Sequence, residues 1–317
     1  MASLPPSTSY TPLMNPTPFL STEIIEIIVD ELGFESASQP TSSLAFQTLL
    51  SISLAGSALL PQCRQHILRS LSFDSPETKG SGRTTPPMQH LRQTVEILGT
   101  NPRLALYIRR LVVHAYRMFS PGPMRMTEAE LKKALATLNE FNELFTPLLE
   151  LMVNIETLVF VGLQGRHACL DMMSPASLQR LYTFMTRPEG NIIKRIELYG
   201  YAKLERSSFN TYPPSLESLR CWHCRFVDAD QEFSAENLQF RLKELEIEGT
   251  HSNLLDSMIS WRSGWHLSRL TTFAQWVVTV KHSDRLSSVL QLASSTLVNL
   301  TIAVYGRKSF CKCAFNG

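Results

Sequence analysis

The cysteines at positions 221 and 224 are the residues whose spacing most resembles a chemical motif. Cys221-Trp222-His223-Cys224 has the Cys-x-x-Cys spacing found in thiol redox sites and zinc half-sites. A tetrahedral zinc site needs a second ligand pair, and Cys311 and Cys313 are separated by one residue instead of two. The sequence therefore predicts no metal and no cofactor, and a structural role for both thiols. A redox or hydrolytic role for Cys221 and Cys224 is the alternative.

A second pattern of polar residues suggests binding instead of catalysis. Glu244, Glu246 and Glu248 alternate along the chain, and alternate residues of a strand share one face. With Arg220 and Trp222 nearby, this acidic stripe would suit a basic or arginine-bearing partner segment, since aromatic and arginine residues often anchor interfaces. The alternative is an ordinary solvated face. The sequence contains no nucleophile elbow, phosphate-binding glycine loop or paired-histidine zinc motif. We therefore predict no catalytic residues and a non-enzymatic protein.

Composition excludes several classes of partner. The 317 residues carry 30 basic and 28 acidic side chains, a net charge of +2, so no basic excess predicts binding to nucleic acid or an anionic membrane. No apolar run approaches the roughly 18 residues of a membrane span. Residues 1–18 contain five prolines and no basic residue, which predicts a disordered tail and no signal peptide. We expect an intracellular protein of the cytoplasm, the nucleus or both, with reduced cysteines.

Three short helices are predicted between residues 19 and 73. Ser21 suits the N-cap of the first helix, and Gly33 suits its end. The apolar residues between them fall on one helical face: Ile24, Ile25, Ile28, Val29 and Leu32. A second helix is predicted between Phe46 and Leu54, and a third near Pro61. Residues 74–90 are rich in proline, glycine, serine and threonine, which predicts a flexible loop.

Residues 91–317 repeat a hexad with the order apolar-x-x-apolar-x-apolar. Its central positions are 111, 158, 196, 219, 245 and 300, with a weaker copy at 270. The successive intervals are 47, 38, 23, 26, 25 and 30, and four of them lie at or next to the ~20–29 residues of leucine-rich repeats. Helix-like segments begin between the hexads at Thr127, Thr146-Pro147, Ser174-Pro175 and Ser283. This pattern predicts an α/β fold, an irregular leucine-rich-repeat solenoid with parallel strands on one face and helices on the other. The alternative is an ordinary α/β domain with chance hexads.

In such a solenoid the apolar hexad residues face inward and the alternating residues form a concave binding surface. The rule predicts these partner-binding residues: Arg195, Glu197, Tyr199, Arg220, Trp222, Glu244, Glu246 and Glu248. The weaker copy adds Arg269, Thr271 and Phe273. The repeat also accounts for the cysteines. Cys221 is the third apolar residue of its hexad, and Cys224 occupies the later position where leucine-rich repeats favour asparagine or cysteine.

The N-terminal helices carry a family resemblance. Residues 20–32, Leu-Ser-Thr-Glu followed by paired aliphatic residues, resemble the opening of an F-box, with Ser21 where proline is usual. Residues 53–55 and 60–64 resemble the second half of F-box-like proteins common in basidiomycete fungi, with Leu59 in the usual tryptophan position. Residues 101–105 and 107–111 resemble the bridge that follows in that family.

This resemblance implies a substrate receptor without catalytic groups. F-box helices bind the Skp-type adaptor of a cullin ubiquitin ligase, and the repeats then select an unknown protein substrate. By position, Leu20, Ile24, Ile28 and Leu54 would contact the adaptor. The alternative is a leucine-rich-repeat scaffold that does not bind the adaptor. Residues 308–317 are predicted to be a minimal cap, or else the array is truncated and self-associates through its end.

Overall fold

The computed structural model confirms an α/β fold. It describes residues 21–38, 44–55, 59–73, 87–114, 128–161, 180–181, 183–185, 193–199, 203–205, 212–222, 224–227, 241–248, 255, 259, 267–276, 283–306 and 309–316. The predicted tail of residues 1–18 and residues 74–86 of the predicted loop lie outside this set. Internal contacts divide the chain into two units, Met1–Ile67 and Leu68–Gly317, which we call the helical unit and the sheet unit.

The described part of the helical unit consists of α1 (Thr22–Ser38), α2 (Leu44–Ala55) and α3 (Leu60–Ile67). The first helix begins directly after the predicted N-cap Ser21. Val29, Leu49 and Cys63 supply one buried residue from each helix to a small core. Partly buried apolar residues surround them: Ile25, Leu32, Ile52, Leu59 and Ile67. Three helices thus share a core too small to cover all of their apolar residues.

The first helix does not end at Gly33, as predicted, but continues to Ser38. A methyl group at position 33 would overlap the ring of His66 on α3. The same ring lies 2.8 Å from the Asp30 carboxylate through its Nε2 atom, and Gln62 Nε2 donates to that carboxylate at 2.9 Å. Position 33 requires glycine because α1 and α3 approach closely there. Gly33 therefore serves the packing of two helices and does not end α1.

Eleven strands are described: β1 (Ser70–Phe73), β2 (Arg110–His114), β3 (Thr157–Val161), β4 (Arg195–Tyr199), β5 (Lys203–Glu205), β6 (Ser218–Trp222), β7 (Arg225–Val227), β8 (Glu244–Glu248), β9 (Thr272–Trp276), β10 (Asn299–Gly306) and β11 (Ser309–Asn316). Eight of these described strands form one parallel sheet in chain order, β1-β2-β3-β4-β6-β8-β9-β10, as predicted in outline. The antiparallel strand β11 pairs with β10 along the edge, where a cap or a truncated end was predicted. Strands β5 and β7 form a separate parallel pair.

The described helices of the sheet unit are α4 (Pro87–Thr100), a 3-10 helix (Pro102–Tyr107), α5 (Glu128–Leu151) and α6 (Ser283–Ala293). Helix α5 runs through Pro147, so the second helix predicted to start at Thr146-Pro147 does not exist. Buried Phe145, Leu148 and Leu149 flank this proline, and their packing outweighs one missing backbone hydrogen bond. After the predicted start at Ser174, residues 180–181 and 183–185 are helical.

The boundary between the two units also differs from the prediction. Strand β1 falls within the segment 19–73 predicted as helical, yet it pairs with β2, and its Phe73 is fully buried in the core of the sheet unit. Helix α4 begins at Pro87, inside the predicted loop of residues 74–90. The sheet unit therefore starts at Leu68, whereas the repeat array was predicted to start at residue 91. A strand as short as β1 is stable only when it is paired, and its partner β2 belongs to the sheet unit.

The hydrogen-bond register aligns the central hexad residues across the sheet. Leu111, Leu158, Ile196, Leu219 and Leu245 lie opposite one another on successive strands, and all are buried. The next residue in this row is Phe273, not Leu270, and Leu300 follows it. The weaker copy was therefore placed three residues too early, and the prediction that Phe273 lies on the binding surface is wrong. With Phe273 in the row, the last four intervals are 23, 26, 28 and 27 residues.

Candidate functional site

The helical unit exposes large apolar side chains on α1 and α2. Ile24, Ile28 and Leu54, which were predicted to bind an adaptor, are 46%, 41% and 88% exposed. Leu20 lies outside the described residues. Further exposed residues that the sequence pattern did not predict complete a set that we call the apolar helix surface: Ile24, Ile27, Ile28 and Phe34 of α1 with Leu44, Leu50 and Leu54 of α2.

The single apolar face predicted for α1 is divided between two environments. Ile25, Val29 and Leu32 turn toward the core, while Ile24 and Ile28 remain exposed. A spacing of three or four residues would also have placed Ile27 beside Ile24. Seven large apolar side chains exposed on two helices of a small unit indicate a protein-binding surface.

The sheet unit presents a different surface, on the side of the sheet opposite the apolar hexad residues. We call it the open face, and it has three rows. The first row is Arg110, Thr157, Arg195, Ser218, Glu244, Thr272 and Asn299; the second is Val112, Val159, Glu197, Arg220, Glu246, Ala274 and Thr301; the third includes Val161, Tyr199, Trp222, Glu248 and Trp276. The eight binding-surface residues predicted from the better hexads lie in these rows, whereas Arg269, Thr271 and Phe273 of the weaker copy do not.

Glu197 is the most deeply placed charge of the open face, with its side chain 5% exposed. Arg110 Nη2 donates to Glu197 Oε2 at 3.3 Å, and the Tyr199 hydroxyl donates to the same oxygen at 3.1 Å. Arg220 Nη1 lies 3.9 Å from the other oxygen. Because a buried carboxylate is costly without such partners, Glu197 on β4 fixes the positions of side chains from β2, on the far side of β3, and from β6.

Glu246 organises the aromatic residues of the open face. Arg220 Nε lies 2.6 Å from Glu246 Oε2, while Trp222 Nε1 and Trp276 Nε1 donate to Glu246 Oε1 at 3.2 and 3.1 Å. Both indoles thus lean toward the strand between them. Trp276 was not predicted to lie on the binding surface, because the predicted hexad of β9 was centred on Leu270. A hexad centred on Phe273 places Trp276 opposite Glu248.

The acidic stripe on β8 is largely compensated within the face. Arg195 Nη2 donates to Glu244 Oε2 at 2.8 Å, and Ser218 Oγ donates to the same oxygen at 2.9 Å. Glu246 has the donors described above. Two glutamates of the predicted acidic stripe, Glu244 and Glu246, are therefore already paired with side chains of other strands. Glu248, the third glutamate of β8, lies on the same face.

Burial differs along the open face. As whole residues, Val112, Val159 and Glu197 are 7%, 2% and 4% exposed. The middle row is therefore buried where it crosses β2, β3 and β4. Tyr199, Arg220, Trp222 and Trp276 are only half-buried. Among the described residues, a partner could therefore contact the middle row only from β6 onward, at Arg220, Glu246, Ala274 and Thr301.

The aromatic side chains of the open face form a connected group. Tyr199 meets Trp222 edge-on with ring centroids 5.5 Å apart, and Trp222 meets Trp276 at 6.3 Å. Arg220 Cζ lies 5.9 Å from the centroid of the Trp222 ring. Burial raises the pKa of Tyr199. Burial alone would lower the pKa of Arg220, but its hydrogen bond to Tyr199 and the charge of Glu246 raise it, so the guanidinium stays charged.

Cys221 and Cys224 are both buried free thiols. Burial raises the pKa of Cys221 well above its usual value, which suppresses the thiolate needed for metal binding or nucleophilic attack. Cys224 Sγ donates to the Leu198 carbonyl on the neighbouring strand at 3.3 Å. The described residues contain no group of three or more histidine, cysteine, aspartate or glutamate side chains placed to hold a metal ion.

In the part of the chain that the structure describes, no helix combines the length and apolar character needed to cross a membrane. No family model matches the chain, and no curated protein or solved structure matches it either. Its function is therefore inferred from the two surfaces just described, the apolar helix surface and the open face of the sheet.

Proposed function

We propose that the protein is a substrate receptor of a Skp-cullin-type ubiquitin ligase. The helical unit would bind the Skp-type adaptor, and the open face of the sheet unit would bind the protein target. No catalytic group is required of this chain, because a receptor acts by holding its target near the ligase. The observation that carries the proposal is the apolar helix surface.

The size of the helical core supports an adaptor on this surface. The buried apolar residues described in this unit are Val29, Ala45, Leu49 and Cys63, while Ile24, Ile28 and Leu54 stay exposed. Burying one such side chain contributes roughly 1.5–3 kcal/mol. A partner covering several of them would stabilise both the complex and the small unit itself.

Three observations support interpreting the sheet unit as a leucine-rich-repeat solenoid. The parallel strands follow one another in chain order, and the last five central residues are separated by intervals of 23, 26, 28 and 27 residues, within the ~20–29 expected. The Cys224 thiol also bonds the carbonyl of Leu198 on the preceding strand of the sheet. In the proposed repeat, Cys224 links neighbouring repeats from the position where asparagine or cysteine is usual.

Direct binding to the Skp-type adaptor of the same organism tests the proposal. Calorimetry should show binding by the wild type and an affinity about tenfold or more lower for Ile28→Lys, since a charge would be buried in an apolar contact. Gln65→Lys is the matched control, because it adds the same charge at an exposed position on α3. Circular dichroism must show that both variants are folded.

Failure of the wild type to bind would overturn the ligase-receptor proposal. The protein would then be better explained as a repeat scaffold that binds partners without the adaptor. Equal loss of affinity in Ile28→Lys and Gln65→Lys would also count against the proposal, because the effect would follow added charge and not the apolar helix surface.

A further inference from the structure

The two outer strands of the nine-stranded sheet differ in length. Among the described strands, β1 is four residues long and β11 is eight. Each pairs with one described neighbour, β2 for the first and β10 for the second, so its other side is an edge of the described sheet. An edge strand presents unpaired backbone N–H and C=O groups to any strand that can align with it. The edge at β11 is the longer template for such pairing.

The residues of β11 give this edge little protection against pairing. Natural proteins protect edge strands by making them short, or with proline and charged residues. Strand β1 is short, whereas β11 has no proline and one charged residue, Lys312. Phe310 and Phe315 also have a high preference for strands. Pairing with another chain is therefore favoured at β11 over β1.

The apolar core is less completely covered at the β10–β11 end of the sheet than in its middle. Leu297, Leu300 and Ile302 of the last hexad are only partly buried. The corresponding residues of the β8 hexad are buried: Leu242, Leu245 and Ile247. The last repeat of an array leaves such residues exposed unless further chain covers them. A partner that extends the sheet at this end would remove apolar area from water.

A second copy of the chain supplies an edge that matches β11. Two copies of β11 can pair antiparallel about a two-fold axis perpendicular to the sheet, because the same strand then forms both sides of the contact. This symmetry places one residue of the strand opposite itself. The reason is that directly opposite residues share a face of the sheet, whereas successive residues alternate between faces. The choice of the central residue therefore fixes the register of the whole contact.

Lys312 and Cys313 are the two residues at the middle of β11, and each can be the centre of the contact. A register centred on Lys312 places two lysines opposite each other, and like charges in this position destabilise a sheet. A register centred on Cys313 places Lys312 of each copy opposite Ala314 of the other. Both registers align the same length of strand, so charge favours the one centred on Cys313.

We propose that two copies of this protein associate through antiparallel pairing of β11 with β11, in the register centred on Cys313. The two nine-stranded sheets then form one continuous sheet across the two-fold axis. Both open faces lie on the same side of the combined sheet, because an axis perpendicular to a sheet does not exchange its faces. The proposal uses residues of the sheet unit alone, so it does not depend on the ligase role.

Sedimentation equilibrium of the purified full chain in reducing buffer tests the association. We expect the mass to rise with protein concentration from 35.8 kDa toward twice that value. Cys313→Lys should weaken the dimer about tenfold, because it opposes two lysines at the centre of the register. Ser70→Lys is the matched control, since it adds the same charge at an exposed position of the other edge strand, and it should dimerise as the wild type does. A mass of 35.8 kDa at every concentration, or equal weakening in both variants, would overturn the proposal.

Cys313→Lys would also weaken the dimer if it loosened β11 from β10, so a second experiment uses conservative variants. Opposite Cα atoms of an antiparallel pair are about 4.5 or 5.5 Å apart, a distance that a disulfide can bridge. A mild thiol oxidant such as diamide should therefore link two wild-type copies. Cys311→Ser should be linked to the same extent, whereas Cys313→Ser should stay unlinked. Linking of Cys313→Ser at the wild-type level, or loss of linking in both variants, would overturn the proposal.

Discussion

The helical unit and the sheet unit treat their apolar residues in opposite ways. In the described helices, Ile27, Phe34, Leu44 and Leu54 are more than half exposed around a small core. In the sheet, the central hexad residues are buried on one side, and the open face is filled with ion pairs and hydrogen-bonded aromatic residues. The helical unit thus exposes a large apolar area for its size, whereas the open face pairs its own polar groups. The large apolar side chains that the described sheet unit exposes lie outside that face, at Ile97, Leu106, Val153 and Val298.

This difference indicates two kinds of recognition. An apolar helix surface gains affinity from the area removed from water and needs little polar matching. A surface whose charges are already paired gains little from one more charge, but it rejects partners that leave those charges unsatisfied. The first kind suits a constant partner such as an adaptor, and the second suits a target that must be distinguished from others.

The largest expected effect comes from removing a central residue of the sheet. Phe273→Ala should lower the free energy of unfolding by about 3–5 kcal/mol, since Phe273 is fully buried. Urea denaturation followed by tryptophan fluorescence measures it, because all four tryptophans lie in the sheet unit. A loss below about 1 kcal/mol would mean that Phe273 is on the open face, as the sequence first indicated.

The next effect tests whether the open face is held together by its own charges. Glu197→Gln should cost about 1–3 kcal/mol, because Arg110 and Arg220 lose a carboxylate that is 5% exposed. Glu244→Gln is the comparison, and it should cost less than about 1 kcal/mol because its side chain is 47% exposed. The same urea denaturation applies. Equal costs would remove the distinction between the deep and the accessible parts of the face.

Two helical glycines, one closely packed and one facing open space, should respond oppositely to an added methyl group. Gly33→Ala should destabilise the helical unit by about 1–3 kcal/mol, because the new methyl group overlaps the His66 ring. Gly99→Ala should stabilise α4 by about 0.5–1 kcal/mol, since no atom lies within 4 Å of the new methyl group. Hydrogen exchange of the α1 and α4 amides measures each effect locally. Faster exchange in both variants would contradict the packing described for Gly99.

The smallest effect concerns the pH dependence of the helical unit. Hydrogen bonds from His66 and then Gln62 lower the pKa of Asp30. A lowered carboxyl pKa stabilises the folded state above the unfolded pKa of about 4, and the stabilisation is lost as pH falls through the folded value. The wild-type helical unit should therefore lose stability below about pH 4 more steeply than Asp30→Asn. Parallel acid titrations followed by circular dichroism should show this difference, and identical curves would contradict it.

The second half of the sheet could largely be predicted from the sequence, because its apolar hexads from Ile196 onward repeat at intervals of 23, 26, 28 and 27 residues. The error at β9 has a physical cause. Gln275 occupies the third apolar position of the true hexad, buried among apolar residues with its Oε1 atom lacking a hydrogen bond. Because Gln275 is polar, the segment centred on Phe273 did not match the apolar hexad pattern. Leu267 and Leu270 have the same spacing three residues earlier and were predicted to form the hexad.

Contacts between residues distant in sequence could not be predicted from local sequence patterns. Gly33 carries the local signal of a helix end, but its role depends on His66, which is distant in sequence. The acidic stripe was correctly placed on one face of β8, yet its pairing with Arg195 and Arg220 depends on strand register. Local sequence therefore identified which residues share a surface and not which of them neutralise one another.

The most direct test of the central claim is amide hydrogen exchange with and without the Skp-type adaptor. If the apolar helix surface is the adaptor site, exchange should slow in α1 and α2, around Ile28 and Leu54, and stay unchanged in β6, β8 and β9. Slower exchange in those strands with no change in the helices, or no change anywhere, would contradict the division of roles between the two units.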